Sequence, residues 1–319
     1  MGDKIKLVFF GTPDIAIKSF EYFIESPDYD VLALVSQKAK AQNRGNKIVE
    51  RNITKIAKQN NIPVFEPDRI SKEPDIINAL KNLKPDFFVT FAFGQILSQE
   101  VIDIPKFATI NLHASILPEY RGASPIASAI IDGKTQTGIT TMKTVLELDA
   151  GDICLTEKID ITPNMNVVEL MEIISDKSPD LLDRTLKGLY NNTIKCIKQD
   201  DSKATFTKKI KKEEKVIDWN MKANELHNKI RGMYLINTNH TTFNNKIIKI
   251  LKTEVVDGLK GKPGEIVEIK KDGIIVACKE GAIKILKLKP EGKGEMDASS
   301  FANGARIKIG NFFGGEFFG

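Results

Sequence analysis

The chain has 319 residues, of which 41% are hydrophobic and 28% charged, and its formal net charge is +5. This apolar content excludes a mainly disordered chain, and no run approaches the ~18 uninterrupted apolar residues of a membrane span. The length predicts two domains, because a single core rarely grows beyond about 250–300 residues. We expect no signal peptide and a cytoplasmic protein.

Cysteine usage supports the same compartment. Cys154, Cys196 and Cys278 lie far apart in the sequence and lack the spacing of metal ligands. We therefore expect three unpaired thiols in a reducing cytosol, with no disulfide.

Strand and helix signals alternate through the first two hundred residues. Short apolar runs predict strands at 4–12, 31–35, 62–65, 87–93, 108–113, 138–143 and 152–159. Helices are predicted from Pro13 onward, with Thr12 as the cap, and at 47–61, 73–83 and 166–190, and residues 36–46 read as a long loop. This alternation predicts an α/β domain with a Rossmann-like, doubly wound, mostly parallel sheet.

The pattern changes in the last third. A helix is predicted at 223–231, followed by short strands at 242–251, 264–269, 273–277 and 282–288, a pattern typical of a small OB-like β-barrel. We expect a domain at 1–202, a lysine-rich linker at 203–215 and a second domain at 216–319.

The net charge is unevenly distributed between the two parts. Residues 203–319 carry 23 Lys and Arg against 14 Asp and Glu, a net of +9, whereas residues 1–202 carry 24 against 28. A basic last third indicates contact with a polyanion such as nucleic acid, although lysine-rich surfaces also serve solubility alone.

Two familiar nucleotide-binding motifs are missing. Gly11 follows the first strand where a dinucleotide-binding protein would have G-x-G-x-x-G, but the other two glycines are absent, and so is the P-loop pattern. The sequence supports neither a nicotinamide enzyme nor a P-loop ATPase.

The most informative segment is INLHASILPEYRG, residues 110–122. Asn111 and His113 are two residues apart on a predicted strand, so their side chains point to one face at its carboxyl end, where open α/β sheets place ligands. Asp149 lies in the turn Leu148-Asp149-Ala150-Gly151-Asp152 before another strand. Taken singly, a buried structural histidine and a simple acidic turn are the plain alternatives.

Together, an amide, an imidazole and a carboxylate suit acyl transfer. An imidazolium held by a carboxylate, with a carboxamide N–H, can stabilise an oxyanion, and the carboxylate can move protons between amines. Since no Ser or Cys is placed as in a nucleophile elbow, we favour direct transfer without a covalent enzyme intermediate. This chemistry requires no metal.

These motifs resemble the formyltransferases that use 10-formyltetrahydrofolate. Asn111-Leu112-His113, Ser115-Ile116-Leu117-Pro118, Tyr120-Arg121-Gly122 and the turn at 148–152 carry the resemblance, and Phe93-Gly94-Gln95-Ile96-Leu97 is similar to the pterin loop of that family. Within the family, the methionyl-tRNA formyltransferases are the most similar, over essentially the whole chain.

The resemblance implies roles for individual residues. Asn111 and His113 would polarise the formyl oxygen, and Asp149 would set the charge of His113 and relay protons. The folate site would be formed by Phe93, Gly94, Gln95, Ile96, Leu97, Ser115, Ile116, Leu117 and Pro118. Initiator methionyl-tRNA would be contacted by Lys38, Lys40, Arg44, Lys47, Lys208 and Lys209, the first four in or beside the 36–46 loop, and a monomer is implied.

Two other functions remain open at this point. A folate-dependent formyltransferase of this fold could act on a small amine such as an amino sugar nucleotide. A nucleic-acid-binding module with a vestigial catalytic set would bind RNA without folate. The basic second domain opposes the former, and the intact polar set opposes the latter.

Overall fold

The computed structural model describes residues 3–39, 41–42, 47–211 and 213–314. It divides into two compact units. The first comprises Met1–Gly122, Gly138–Ile159 and Met171–Phe206, and the second comprises Ala123–Thr137, Asp160–Leu170 and Thr207–Gly319. The two units interleave along the chain, so they do not follow the single linker predicted at 203–215.

The strands, in chain order, are β1 (Ile5–Gly11), β2 (Tyr29–Val35), β3 (Ala41–Gln42), β4 (Lys47–Ile48), β5 (Val64–Phe65), β6 (Phe87–Phe91), β7 (Ala108–His113), β8 (Arg121–Gly122), β9 (Gln136–Lys143), β10 (Ile153–Asp160), β11 (Phe206–Thr207), β12 (His240–Phe243), β13 (Lys246–Val256), β14 (Ile266–Lys270), β15 (Gly273–Ala277), β16 (Ala282–Pro290) and β17 (Met296–Asp297).

The α-helices are α1 (Ile17–Glu25), α2 (Asn52–Gln59), α3 (Pro74–Asn82), α4 (Gln99–Ile102), α5 (Pro125–Ile131), α6 (Val167–Tyr190), α7 (Ala223–Gly232) and α8 (Ala298–Gly304). Short 3-10 helices occupy Asp14–Ala16, Ile70–Lys72, Asp201–Lys203 and Glu213–Lys215.

A seven-stranded sheet of order β10-β9-β7-β6-β1-β2-β5 forms the centre of the first unit. β1 pairs in parallel with β2 and β6, as do β6 with β7 and β2 with β5, whereas β7 and β9 are antiparallel. All five residues of β6 are buried, as expected of a strand covered on both faces. The predicted Rossmann-like, mostly parallel sheet is confirmed.

The second unit contains an antiparallel sheet of order β12-β13-β16-β15-β14, with β17 paired to β16. Its core includes Trp219 and Phe313, whose rings stack at 6.1 Å between centroids. The prediction of a separate β-rich C-terminal domain is confirmed. The single strand predicted at 242–251 is wrong, because Asn244 and Asn245 adopt positive φ and turn the chain between β12 and β13.

Two helix starts also differ from the prediction. α2 begins at Asn52 rather than 47, because Arg51 is extended and its Nε donates to the Gln37 carbonyl at 2.9 Å. Thr12 does not cap the first helix. Its hydroxyl instead donates to the Phe93 carbonyl at 3.1 Å, and so ties the end of β1 to the loop after β6.

The expectation of three unpaired cysteines is wrong. Cys154 and Cys196 form a disulfide, and only Cys278 is a free thiol among the described residues. The two half-cystines are 42 residues apart in sequence, but an antiparallel bridge between Ile153 and Ile197 brings their backbones together. Distance along the chain is therefore a poor guide to distance in space.

Within the described ranges, none of the helices has the length and apolar character needed to cross a bilayer.

Candidate active site

The carboxyl end of β7 carries the candidate histidine. His113 is 6% exposed, and its Nε2 donates to the Tyr120 carbonyl oxygen at 2.8 Å. Because a carbonyl oxygen can only accept, this contact places the proton of the neutral imidazole on Nε2. Nδ1 is therefore the ring atom that can serve a substrate.

Asp149 faces that second ring nitrogen. Its Oδ2 lies 3.6 Å from His113 Nδ1, a distance suited to an ion pair when the imidazole is protonated. The same Oδ2 accepts the Gly122 backbone N–H at 2.8 Å. The carboxylate is thus held beside the imidazole by a backbone donor from the strand that follows Tyr120.

The turn that presents Asp149 requires a glycine. A Cβ on Gly151 would come within 1.7 Å of the Lys143 carbonyl oxygen, so only glycine lets the turn approach the end of β9 this closely. Asp149 itself has a φ of 51°, a left-handed conformation that Asp tolerates better than most residues. The local sequence therefore fixes where the carboxylate emerges.

Asn111 is held by the strand next to its own. It is opposite Thr90 in the β6–β7 register, and the Thr90 hydroxyl donates to its Oδ1 at 2.7 Å. With the oxygen of the amide occupied, Asn111 Nδ2 remains as a donor on the same face of β7 as His113. Asn111 thus provides one N–H donor and Asp149 a proton acceptor, and His113 Nδ1 becomes a second donor when the imidazole is protonated.

This amide–imidazole–carboxylate arrangement suits transfer of a small acyl group. Sequence comparison matches residues 5–186 to formyl transferases and residues 209–306 to the formyl transferase C-terminal domain. The chain belongs to the formyltransferase family.

The relatives of this formyltransferase align with it over nearly its full length. The methionyl-tRNA formyltransferase of Clostridium acetobutylicum is 40% identical over 96% of this chain and 98% of its own. That of Geobacter metallireducens is 37% identical over 96% and 97%. The resemblance to methionyl-tRNA formyltransferases is confirmed, and the chain is an enzyme of formyl transfer.

Solved structures show the same fold. The N-formyltransferase of Helicobacter canadensis, in complex with folinic acid and dTDP-3-aminofucose, superposes with a TM-score of 0.67 at 20% identity, over 88% of this chain and 99% of its own. WlaRD, a sugar 3N-formyl transferase, gives 0.64 at 19% identity, over 92% and 100%.

The loop predicted to hold the pterin divides into anchors and exposed residues. Phe93 and Leu97 are buried in a hydrophobic cluster with Phe10 and Phe88, whereas Ile96 is 81% exposed. Gln95 accepts the Ile70 N–H at 2.9 Å and donates to the Pro67 carbonyl at 3.0 Å. Gly94, Gln95 and Ile96 line a cavity of about 870 Å³ that Lys38 also lines.

The second predicted folate segment packs on β9. Ser115 is fully buried, and its hydroxyl donates to the Glu119 carbonyl. The carbonyl oxygen of Ser115 accepts a hydrogen bond from Thr140 Oγ1 at 2.7 Å. Leu117 is buried and donates its N–H to Thr140 Oγ1, while Ile116 and Pro118 are half-buried. In this arrangement Ser115 shapes the loop rather than offering its hydroxyl to a ligand.

The predicted tRNA contacts are only partly described. Lys40 and Arg44 lie outside the described residues, and of Lys47 only the backbone, in β4, is described. Lys38 is exposed and pairs with Asp68 at 2.7 Å. Lys208 and Lys209 are exposed in the second unit.

Several residues that shape the site are not predicted by the sequence. They are Thr90, Thr140, Arg121 and Gln199, and each acts through a side-chain hydrogen bond to a partner at least 21 residues away. The signal that could have found Arg121 is its position inside the YRG motif between two site residues. Among the described residues, no group of three or more His, Cys, Asp or Glu side chains could hold a metal ion.

Proposed function

We propose that this enzyme transfers the formyl group of 10-formyltetrahydrofolate to the α-amine of methionyl initiator tRNA, giving N-formylmethionyl-tRNA for translation initiation. The observation that carries the proposal is the end-to-end match, through both domains, to relatives named methionyl-tRNA formyltransferase. We further propose that the enzyme is cytoplasmic, and that it is a monomer, as the resemblance implies.

The reaction proceeds by direct attack. The methionyl amine adds to the formyl carbon, and Asn111 Nδ2–H and protonated His113 Nδ1–H donate to the oxygen as it becomes negative. Asp149 takes the proton from the attacking amine and delivers it to the folate nitrogen as the old carbon–nitrogen bond breaks. The backbone N–H of Gly122 holds Asp149 in place for both transfers.

These reaction steps need no nucleophilic side chain from the enzyme. The hydroxyl of Ser115, in the loop after β7, already donates to the Glu119 carbonyl, and Cys154 is in a disulfide. The amine itself is nucleophilic once deprotonated, so a single tetrahedral intermediate connects donor and acceptor.

Charge supports a tRNA acceptor. The last third of the chain carries a net charge of +9, and Lys208 and Lys209 are exposed there, where they can contact phosphates. In the proposed complex, Arg44 and the lysines Lys38, Lys40 and Lys47 contact the acceptor arm.

A formyl-transfer assay tests the proposal. Purified enzyme and 10-formyltetrahydrofolate are incubated with initiator methionyl-tRNA, with free methionine and with a dTDP-amino sugar in parallel. We expect formylation of the charged tRNA alone. Transfer to the amino sugar but not to tRNA would overturn the proposal in favour of a small-molecule acceptor.

A further inference from the structure

Gln199 lies outside every sequence motif, yet its side chain joins the two segments that hold His113 and Asp149. It is 5% exposed, and its Nε2 donates to the carbonyl oxygens of Asp149 at 2.8 Å and Gly151 at 2.7 Å. Its Oε1 accepts from Arg121 Nε at 3.1 Å and Nη2 at 2.8 Å. A primary amide has two donors and one acceptor oxygen, so every strong position of this one is used.

Arg121 is the other half of this connection. It is 1% exposed, and its backbone N–H donates to the Thr205 carbonyl at 2.8 Å. The residue before it supplies the carbonyl oxygen that binds His113 Nε2, and the residue after it supplies the N–H that binds Asp149 Oδ2. Fixing Arg121 therefore fixes the partners of both the imidazole and the carboxylate.

The backbone that carries Gln199 is itself immobilised. Ile153 and Ile197 exchange two backbone hydrogen bonds of 2.8 and 2.7 Å, and the Cys154–Cys196 disulfide ties the same two segments. Gln199 thus reaches Asp149 and Gly151 from a segment anchored to β10. A buried amide whose hydrogen-bonding positions are all used destabilises the fold little and specifies one geometry. A buried amide that lacks some of its partners destabilises the fold.

We propose that Gln199 is a positioning residue for formyl transfer: through Arg121 and the carbonyls of Asp149 and Gly151, it sets the separation of Asp149 Oδ2 from His113 Nδ1. This inference rests on the proposed function of the Asn111–His113–Asp149 set. Loss of Gln199 lets the 149–151 turn move away from Gly122, and a carboxylate farther from the ring stabilises the imidazolium less.

The test compares Gln199→Leu with Gln199→Glu and with the control Gln99→Leu. Gln199→Glu keeps an acceptor for Arg121 but places a carboxylate oxygen, which cannot donate, against the carbonyl oxygens of Asp149 and Gly151. It also keeps the test decisive if Gln199→Leu fails to fold. Gln99 is an exposed glutamine of α4 that makes one surface bond to Asp103, so its loss repeats the chemical change away from the site. Each variant is assayed for kcat and for donor affinity.

We expect kcat to fall about 10–100-fold in both Gln199 variants, because a misplacement near 1 Å can cost about 100-fold. Donor affinity should stay within about twofold, because Gln199 contacts only the segments that hold His113 and Asp149. Unchanged kcat would overturn the proposal. So would an equal loss of kcat and donor affinity, which marks a merely structural role.

A second measurement, NMR of the His113 ring, requires no formyl acceptor. The chain has three histidines, so the NMR ring signals of His113 can be assigned by their loss in His113→Asn. Their chemical shifts at one fixed pH should change in the Gln199 variants and not in Gln99→Leu. If wild-type enzyme transfers nothing to methionyl-tRNA, the proposed function fails, while these chemical shifts still decide whether Gln199 sets the imidazole–carboxylate geometry.

Discussion

At the scale of single residues, the site depends on which atom of each group is already occupied. His113 Nε2 and Asn111 Oδ1 are both engaged by protein partners. The atoms left for a substrate are Asn111 Nδ2, which is a donor, and His113 Nδ1, which donates when the imidazole is protonated. This arrangement can donate hydrogen bonds to an oxygen on that face of β7. Such preorganised donors are worth more than mobile ones, because they cost no reorganisation during the reaction.

The role of Asp149 gives a direct prediction at this scale. Asp149→Asn retains an oxygen for the Gly122 N–H but can neither accept a proton nor pair with an imidazolium. We expect turnover to fall by about 10²–10⁴ while the affinity for methionyl-tRNA is retained. Rates come from single-turnover transfer and affinities from filter binding. Turnover within twofold of the wild type would remove Asp149 from the mechanism.

The site residues that the sequence predicts and those that it does not predict differ in one physical respect. Asn111 and His113 are predictable because strand periodicity places i and i+2 on one face, and Asp149 because a D-x-G turn precedes a strand. Gln199 is 78 residues from Arg121, and no local pattern encodes a contact at that distance. The cysteine prediction is wrong for the same reason.

At the scale of an element, different residues of the loop after β6 contribute to the stability of the fold and to the proposed binding of the donor. Leu97 is buried in the core cluster, so Leu97→Ala should lower the free energy of unfolding by about 2–5 kcal/mol. Ile96 is exposed beside the 870 Å³ cavity, so Ile96→Ser should leave the free energy of unfolding unchanged. It should weaken donor binding about 5–10-fold, because the apolar contact of a side chain partly buried by the ligand is lost. Urea denaturation and a fluorescence titration with folate separate the two effects. Weaker donor binding in Leu97→Ala alone would place the folate elsewhere.

The Cys154–Cys196 disulfide belongs to the same scale. Cross-linking residues 42 apart should contribute about 4 kcal/mol by restricting the unfolded chain. Cys196→Ser should therefore lower the unfolding midpoint in urea. Turnover should stay within about twofold, because the Ile153–Ile197 bridge and the Gln199 bonds remain. Wild-type enzyme treated with dithiothreitol is the control, and equal stability of oxidised and reduced enzyme would contradict the prediction.

At the scale of the whole molecule, the distribution of charge distinguishes the two parts of the chain. Residues 1–202 are slightly acidic and contain the proposed catalytic residues, whereas the last third is strongly basic. The fold class and this division follow from composition and periodicity. The interleaving of the two units does not, because α5 and residues 160–170 join the second unit through packing that no local signal shows.

The charge argument leads to a measurable salt dependence. Each lysine that neutralises a phosphate releases counterions, so log Kobs falls as log salt concentration rises. The magnitude of this negative slope decreases by about 0.7–0.9 for each phosphate that is no longer neutralised. Replacing both exposed lysines, Lys208→Ala with Lys209→Ala, should therefore make the slope for methionyl-tRNA shallower by about 1–2. The control is the pair Lys55→Ala and Lys81→Ala, exposed on helices of the first unit, which removes the same charge away from the basic part. An equal change of slope in both double variants would show that tRNA responds only to net charge, and an unchanged slope in both would place the phosphate contacts on other residues.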